Sequence, residues 1–231
     1  MFDGHGGEEV SARLFNMSKR DTTSGNPFLQ LKETLNPAMS QDQVQAMATS
    51  VFHLVDSTFS KHLNCGSTAV VGVHHIESNR VRFFHCGDSR AAWRLTTSRP
   101  HPVVIKEKEL VETLASTKDH DPGDLDEKIR IQNAGGTVTS FSGTSRVQGI
   151  LAVSRSFGDF AYKKYVISTP SCSDLIIMNS GDRYILATDG VWDNYSVSGA
   201  FSFGQFPAAE HAQKITSINR DDTTAIVVHI L

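Results

Sequence analysis

The chain has 231 residues, enough for one large domain with a substantial core, and its 22 basic and 25 acidic side chains leave a net charge of −3. This balance provides no basic field, so we expect neither nucleic acid nor a membrane as a partner. The cysteines Cys65, Cys86 and Cys172 lack CxxC spacing, which argues against a disulfide framework or a zinc ribbon and favours a reducing compartment. The sequence has neither a long apolar run nor a signal-peptide pattern, so we expect a cytoplasmic protein, with the nucleus as the second candidate compartment. We also expect a monomer with a single domain over residues 1–231.

The N-terminal stretch Asp3-Gly4-His5-Gly6-Gly7 combines a carboxylate, an imidazole and three glycines. Glycine allows tight turns and the close approach of a ligand to the backbone. An aspartate beside such a turn can direct its oxygens at a hard cation, and a free carbonyl can add another ligand. The alternative interpretation is a helix N-terminus at which Asp and Gly act as capping residues.

Three helices follow from apolar periodicity and capping signals. The first is predicted from Glu8 to Lys19. A capping box at Ser40–Gln43 predicts a long second helix that ends near Leu63-Asn64. A third, short helix begins at Asp124, with Glu127 completing its capping box, and ends at Gly135-Gly136. The apolar side of the long helix is predicted to be core and comprises Val44, Met47, Val51, Leu54, Val55 and Phe59.

Strands are predicted where β-branched and aromatic residues alternate with polar ones. The first three are Ser67–His74, Val81–Cys86 and Ala91–Leu95, and the short turns at Glu77–Asn79 and Gly87–Ser89 predict that consecutive strands are antiparallel neighbours. Further candidates are Val103–Ile105, Thr137–Thr139, Gln148–Val153, Leu175–Met178, Tyr184–Ala187 and Ala225–Ile230. Blocks of helices and strands of this kind predict an α+β fold in which helices cover the sheets.

Three further aspartate-bearing turns lie at predicted strand ends, at Gly87-Asp88-Ser89, at Thr188-Asp189-Gly190 and at Asp221-Asp222. Each turn alone is ordinary, because Asp and Gly are common turn residues. Four carboxylate-bearing turns in one chain, counting Asp3, are what an Mg²⁺ or Mn²⁺ centre requires, since these ions prefer oxygen ligands.

A series of motifs, in this order along the chain, resembles the type 2C (PPM) family of metal-dependent serine/threonine protein phosphatases. The motifs are DGHGG, CGSTAVVGV, FFHCGDSRA, DEKIRIQNAGG, RVQGILAVSRSFGD, YILATDGVWD and RDDTTAIVV. The resemblance runs from residue 2 to the C-terminus. It implies two antiparallel sheets packed as a sandwich and flanked by helix pairs.

The resemblance also implies the chemistry, which is hydrolysis of phosphoserine and phosphothreonine esters in a phosphoprotein by water that two Mn²⁺ or Mg²⁺ ions activate. His5 would be the general acid that protonates the departing oxygen. The implied metal ligands are Asp3, the carbonyl of Gly4, Asp189 and Asp221 for the two ions, with Asp88 and Asp193 for a weaker third ion. No substrate-binding residue is predicted. Arg155 could line the approach to the site, but we expect it to form a structural ion pair, with Asp159 as the candidate partner.

The sequence also departs from the family pattern at its beginning. The family has strands before DGHGG that carry a phosphate-binding arginine and a Glu-Asp pair, whereas this sequence starts at Met1-Phe2. We therefore expect a domain that is partial at its N-terminus. The alternative function is a catalytically impaired pseudophosphatase or a truncated product that acts as a binding or regulatory module.

Overall fold

The computed structural model describes residues 1–19, 26–61, 63–100, 108–217 and 221–231. The predicted strand Val103–Ile105 lies outside this part of the chain. The helices are α1 Glu9–Ser18, α2 Gln41–Ser57, α3 Leu125–Asn133, α4 Asp189–Trp192, α5 Val197–Phe201 and α6 Ala208–Ile215, with 3₁₀ helices at Pro27–Leu35 and Phe160–Tyr162. The strands are β1 Phe2–His5, β2 Gly66–His75, β3 Arg80–Cys86, β4 Arg90–Pro100, β5 Lys108–Ser116, β6 Val138–Phe141, β7 Thr144–Val147, β8 Phe157–Gly158, β9 Ser171–Cys172, β10 Ile176–Ile177, β11 Arg183–Ala187 and β12 Ala225–His229.

The strands form two main antiparallel sheets and one separate hairpin. The first sheet has the order β1-β2-β3-β10, with β8 paired to β2 and β9 paired to β3. The second sheet has the order β12-β11-β4-β5, and β6 pairs with β7 alone. None of the helices in the described ranges is long and apolar enough to cross a membrane.

The two main sheets pack face to face because side chains alternate along each strand. On β3, Phe83 points into the layer between the sheets and stacks on Trp93 at 5.4 Å, whereas Phe84 points to the helices α1 and α2. On β11, Leu186 points into the layer between the sheets and Ile185 packs against α5 and α6. The layers are therefore helix, sheet, sheet and helix, which confirms the predicted α+β class.

Helix α2 begins at the predicted capping box, and Val44, Val51 and Val55 of its predicted apolar stripe are buried, but the stripe is centred differently from the one expected. Ser40 Oγ accepts a hydrogen bond from the Gln43 amide, and Gln43 Oε1 accepts one from the Ser40 amide. The buried stripe contains Ala48 and Phe52, whereas Leu54 is 51% exposed. At 3.6 residues per turn, Leu54 lies roughly 100° from the centre of the stripe, so its assignment to the core was wrong.

The turn at Gly87–Ser89 does not close a hairpin, so the prediction that β3 and β4 are neighbours was wrong. Strand β4 lies in the second sheet, where it pairs with β11 and β5, and the turn carries the chain from one sheet to the other. Gly87 has φ of +100°, and a Cβ there would lie 2.7 Å from the Thr68 side chain. The buried hydroxyls of Thr68 and Ser89, 2.6 Å apart, join the two sheets at this crossing.

The strand predicted at Gln148–Val153 was also wrong, because the chain turns there. Strand β7 ends at Val147, and Gln148 and Gly149 have positive φ values of 52° and 71°. The amide of Val147 and the carbonyl of Leu151 close this turn at 2.8 Å. The turn places the residues that follow β7 beside the mouth of the cavity described below.

Candidate active site

One cavity of about 630 Å³ collects most of the residues that the sequence singles out. Its lining includes Asp3, Gly4, His5, Asp88, Asp189 and Asp221. These residues come from β1, from the crossing between the sheets and from the ends of β11 and β12. Asp193 is not among the described residues that line the cavity, so the structure brings together six of the seven predicted site residues.

His5 is held by a buried carboxylate that the sequence did not assign to it. The distance from His5 Nε2 to Asp159 Oδ2 is 2.6 Å, and Asp159 is only 4% exposed. The same oxygen accepts a hydrogen bond from Ser156 Oγ at 2.5 Å. Burial lowers the pKa of His5, but the hydrogen bond and charge of Asp159 outweigh it and raise that pKa above its ordinary value.

The position of Asp159 is fixed by the first sheet and by helix α2. Asp159 adopts a left-handed conformation with φ of 47°, and its amide donates to the carbonyl of Cys65 at 3.0 Å. The preceding amide, that of Gly158, donates to Asp56 Oδ1 on α2 at 2.8 Å. Lys163 contacts the other carboxylate oxygen of Asp56 at 3.1 Å. Lys163 therefore belongs to a structural ion pair that supports the turn at Asp159.

Gly66, the first residue of β2, lies directly against the His5–Asp159 pair. A Cβ at this position would lie 2.1 Å from Asp159 Oδ2 and 2.5 Å from His5 Nε2. Both distances are far below van der Waals contact, so any side chain would displace the pair. Glycine is required here by the close approach of these side chains to the strand.

Arg155 forms an ion pair with Glu127 rather than with Asp159, which corrects the expected partner. Arg155 Nη2 donates to Glu127 Oε1 at 2.5 Å, and Arg130 Nη2 donates to Glu127 Oε2 at 2.8 Å. Burial raises the pKa of Glu127, but its hydrogen bonds from Arg155 and Arg130 lower that pKa to about 2. Asp124 caps α3 through the Asp126 amide, as predicted, whereas the Glu127 carboxylate is directed to these two arginines.

Asp189 and Asp221 are brought together by the paired ends of β11 and β12. The Thr188 hydroxyl accepts a hydrogen bond from the Thr224 amide at 3.1 Å and donates to the Asp222 carbonyl at 3.3 Å. A Cβ at Gly190 would lie 2.8 Å from that same carbonyl, so the two turns are in close contact. Asp3 reaches this end of the cavity from β1, where it pairs with Thr68 of β2.

The carboxylates at this end of the cavity carry negative charge that the surrounding side chains leave largely uncompensated. Burial, the hydrogen bond and charge of Asp189 and the charges of Asp88 and Asp221 raise the pKa of Asp3 to about 8. Burial and the charge of Asp189 raise the pKa of Asp88 to about 7. Arg146 is the one Lys or Arg side chain among the described lining residues.

These oxygen donors fit a hard divalent cation chemically, because neighbouring carboxylates favour a cation that neutralises them. Their arrangement is not yet that of a complete ligand set. Among the residues that the structure describes, no three Asp, Glu, His or Cys side chains converge as a group that could hold a metal ion. A bound cation would therefore have to draw the carboxylates closer together.

Asp88 lies in the crossing between the sheets, which His120 holds from the other side. The Gly87 amide donates to His120 Nδ1 at 3.1 Å, and the His120 amide donates to the Gly87 carbonyl at 3.0 Å. His120 Nε2 and the Ser171 hydroxyl are 2.8 Å apart. His120 is thus a buried structural histidine, and it anchors the turn that carries Asp88.

Asp193 lies just outside the cavity, one turn after Asp189. Burial and the charges of Asp189 and Asp221 raise its pKa, while Arg90 opposes this rise. Arg90 itself is committed to Asp119 through two hydrogen bonds of 2.9 and 2.6 Å. The charges of Asp189 and Asp221 therefore act on Asp193, although Asp193 is not among the described residues that line the cavity.

Two lining residues were missed by sequence reasoning. Asp159 stands next to the Gly158 turn, and its assignment to Arg155 hid its contact with His5. Arg146 lies on the exposed side of β7, where a basic residue carries no signal in a single sequence. Only the three-dimensional arrangement of β1, β8 and the β6–β7 hairpin reveals either residue.

Comparisons of the sequence with known proteins point to one family. The family model described as protein phosphatase 2C matches residues 1–215. "Probable protein phosphatase 2C 69" of Arabidopsis thaliana is 33% identical over 242 residues, covering 100% of this chain and 60% of the relative. "Probable protein phosphatase 2C 45" of rice is 34% identical over 197 residues, covering 84% of this chain and 60% of the relative. The chain thus spans about 60% of the length of these two relatives.

Solved structures share the fold at lower sequence identity. A serine-threonine phosphatase 2C from Toxoplasma gondii superposes with a TM-score of 0.75 at 22% identity, over 100% of this chain and 83% of that chain. A sex-determining protein of C. elegans superposes with a TM-score of 0.67, also at 22% identity, over 98% of this chain and 54% of that chain. At this identity the likeness concerns the fold.

Proposed function

The chain belongs to the protein phosphatase 2C family, and from this premise we propose that it is a metal-dependent phosphatase acting on phosphoserine and phosphothreonine in proteins. The observation that carries the proposal is one cavity that contains both a His–Asp pair and four carboxylates from separate chain segments. The His–Asp pair suits proton transfer, and the four carboxylates suit hard cations. Their proximity is what hydrolysis of a phosphate ester requires.

The residues that would hold Mn²⁺ or Mg²⁺ are Asp3, Asp189 and Asp221, with the carbonyl of Gly4, while Asp88 and Asp193 would serve a further ion. Bound ions of this kind lower the pKa of a water molecule and offset the charge of phosphoryl oxygens. Burial, followed by the hydrogen bond and charge of Asp189, raises the pKa of Asp3, and a bound cation would favour its charged form.

His5 would deliver a proton to the oxygen of the departing serine or threonine. Its Nε2 is engaged with Asp159, so Nδ1 is the ring nitrogen that remains for proton transfer. Asp159 in turn fixes the ring and stabilises its protonated form, because a buried carboxylate favours the imidazolium. In this arrangement His5 and Asp159 would handle the proton, and the other aspartates would bind the ions.

Arg146 would attract the phosphate dianion to the cavity. Its side chain lies on the lining, and its Nη1 donates to the Ile150 carbonyl at 2.6 Å, which leaves other guanidinium N–H groups for phosphate oxygens. Without a cation, an entering phosphate would meet carboxylates and one arginine. We therefore expect substrate binding to depend on both Arg146 and the ions.

The direct test is the release of phosphate from a phosphothreonine peptide by the 231-residue chain, first with Mn²⁺ and then with excess EDTA. We expect release with Mn²⁺ and none with EDTA. A folded preparation that releases no phosphate under either condition would contradict the proposal. It would favour the second candidate, a non-hydrolysing phosphoprotein-binding module, for which the incomplete convergence of the carboxylates is the supporting observation.

A further inference from the structure

The hairpin β6–β7 carries an aromatic side chain that is almost completely in solvent. Phe141 is 85% exposed, and it directly precedes the two-residue turn Ser142-Gly143. Both turn residues have positive φ, 51° and 89°, as the tight turns of two-residue hairpins require. The tip is therefore a defined structure that presents Phe141, rather than a loose loop in which an apolar side chain happens to be exposed.

The opposite face of the hairpin explains why Phe141 does not join the apolar cluster beneath β6 and β7. Val147 is buried and Val138 packs with it against Ile131 and Val166. Side chains alternate along a strand, and Phe141 is three residues after Val138, so it lies on the face away from this cluster. A single exposed apolar side chain is ordinary on a protein surface, so its position relative to the cavity decides whether it can contact a ligand there.

The face that carries Phe141 continues into the cavity. Thr139 pairs with Arg146 across the hairpin, and Phe141 is two residues beyond Thr139 on the same face. Phe141 and Arg146 are therefore diagonal neighbours across the hairpin, and such residues are about 7–8 Å apart. Arg146 lines the cavity together with Ile150, whose side chain is 53% exposed. Phe141, on the same hairpin face as Arg146, and Ile150, on the cavity lining, are therefore exposed apolar side chains near the arginine that would meet the phosphate.

We propose that Phe141 and Ile150 bind an apolar side chain of the substrate polypeptide close to the phosphorylated residue. This proposal rests on the function proposed above, and it narrows the substrates to phosphorylated segments that have an apolar residue nearby. An extended peptide advances about 3.3 Å per residue, so the diagonal spacing of about 7–8 Å between Phe141 and Arg146 corresponds to about two residues. The length of the two side chains extends this to about three or four residues from the phosphothreonine. Phosphorylated segments with a large apolar residue at that distance would be preferred over polar ones.

The test compares phosphothreonine peptides that differ at one position, which is Leu or Ser two, three or four residues from the phosphothreonine on either side. For each preparation kcat/KM is measured with Mn²⁺ and normalised to hydrolysis of a small aryl phosphate. We expect the chain to prefer the Leu peptide by about fivefold at one or more of these positions, because part of a leucine side chain is removed from water. Phe141→Ser should abolish this preference.

The matched control is Ile76→Ser, because Ile76 is 75% exposed beside the turn between β2 and β3. It is not among the described residues that line the cavity, so this variant should keep the preference of the parent. Equal kcat/KM for Leu and Ser peptides at every position, or a preference that survives Phe141→Ser, would overturn the proposal.

Failure of the proposed function is distinguishable from failure of this specificity. If neither the aryl phosphate nor any peptide is hydrolysed, the phosphatase proposal fails. Fluorescence anisotropy with labelled, unhydrolysed peptides then tests separately whether Phe141 contributes to binding of an apolar side chain. Tighter binding of Leu peptides to the parent than to Phe141→Ser would support the apolar surface. Equal binding of both peptides to both proteins would refute it.

Discussion

The two ends of the cavity differ in how completely the fold provides partners for their polar side chains. At one end, His5 and Asp159 contact each other at 2.6 Å, and Ser156 and the surrounding backbone fix the carboxylate. At the other end, Asp3 shares a hydrogen bond with Asp189 amid further carboxylates, and its pKa rises to about 8. The first end is balanced within the chain, whereas the second end would be neutralised by added protons or by a bound cation.

This difference indicates how the fold divides the work of the proposed reaction. A buried polar network whose members are all hydrogen-bonded is rigid and holds its geometry without a ligand. A group of like charges is destabilising until a cation neutralises it. The His5–Asp159 end should therefore be independent of metal, and the aspartate end should depend on it.

The largest effect is expected for Asp189→Asn, which removes a carboxylate from the centre of the like-charged end. Activity with Mn²⁺ should fall by at least about a hundredfold, because a metal ligand is lost. In EDTA, the melting temperature should rise by a few degrees, because repulsion of Asp3 and Asp88 is relieved. Steady-state kinetics and thermal unfolding measure the two effects. Unchanged Mn²⁺-dependent rates would refute the assignment of Asp189 as a ligand.

Gly66→Ala tests the balanced end, because the added Cβ would meet Asp159 and His5 at 2.1 and 2.5 Å. We expect activity to fall by about ten- to a hundredfold through displacement of the pair, while Mn²⁺ binding measured by calorimetry is retained. The matched control is Gly72→Ala on the same strand, where a Cβ would meet Phe83 at 3.3 Å, a tight but much milder contact. Equal activities of the two variants would show that the pair is not essential.

Glu127→Gln should lower stability while leaving kcat nearly unchanged, because Glu127 binds Arg155 and Arg130 away from the reacting groups. Loss of these charge-assisted bonds should cost about 2 kcal/mol. The folded-state pKa of Glu127, about 2, lies below the ordinary glutamate value of 4.5, so its contribution is fully present above pH about 4.5. That contribution disappears as the pH falls towards 2.

Denaturant unfolding of the parent and Glu127→Gln between pH 7 and pH 2.5 measures this contribution. The stability difference between the two proteins should shrink over the acid part of the range. A difference that stays constant with pH would contradict the lowered pKa of Glu127. A large loss of kcat at pH 7 would instead place Arg155 in the reaction.

The smallest effect is expected for Arg146, which lines the cavity without a fixed acidic partner among the described residues. Arg146→Ala should raise KM for a phosphothreonine peptide by about three- to tenfold with little change in kcat. Arg146→Lys should restore part of the affinity, because it keeps the charge but loses bidentate geometry. A loss confined to kcat would contradict a role in attracting phosphate.

The sequence predicted elements with strong local signals and failed where contacts are distant. The capping box of α2 was predicted because Ser40 and Gln43 satisfy each other locally. The crossing at Gly87 was mistaken for a hairpin, because a three-residue turn between strands does not reveal that they belong to different sheets. Secondary structure follows from neighbours in sequence, whereas sheet membership depends on packing.

The candidate site was likewise predictable from local sequence signals but not from contacts between distant segments. The aspartate-bearing turns were recognisable because Asp and Gly repeat at strand ends, and the structure brings Asp3, Asp88, Asp189 and Asp221 to one cavity. The partner of His5 was not recognisable, because Asp159 lies 154 residues away and its side chain has no distinctive pattern. Pairings between distant segments require the folded structure.

The measurement that tests the division of the cavity most directly is calorimetric titration of Mn²⁺ into the parent, Asp159→Asn and Asp189→Asn, with peptide hydrolysis measured on the same preparations. We predict that Asp159→Asn binds Mn²⁺ like the parent but hydrolyses the peptide far more slowly, whereas Asp189→Asn loses both. If Asp159→Asn loses Mn²⁺ binding, or Asp189→Asn retains it, the two ends of the cavity do not have the separate roles assigned to them.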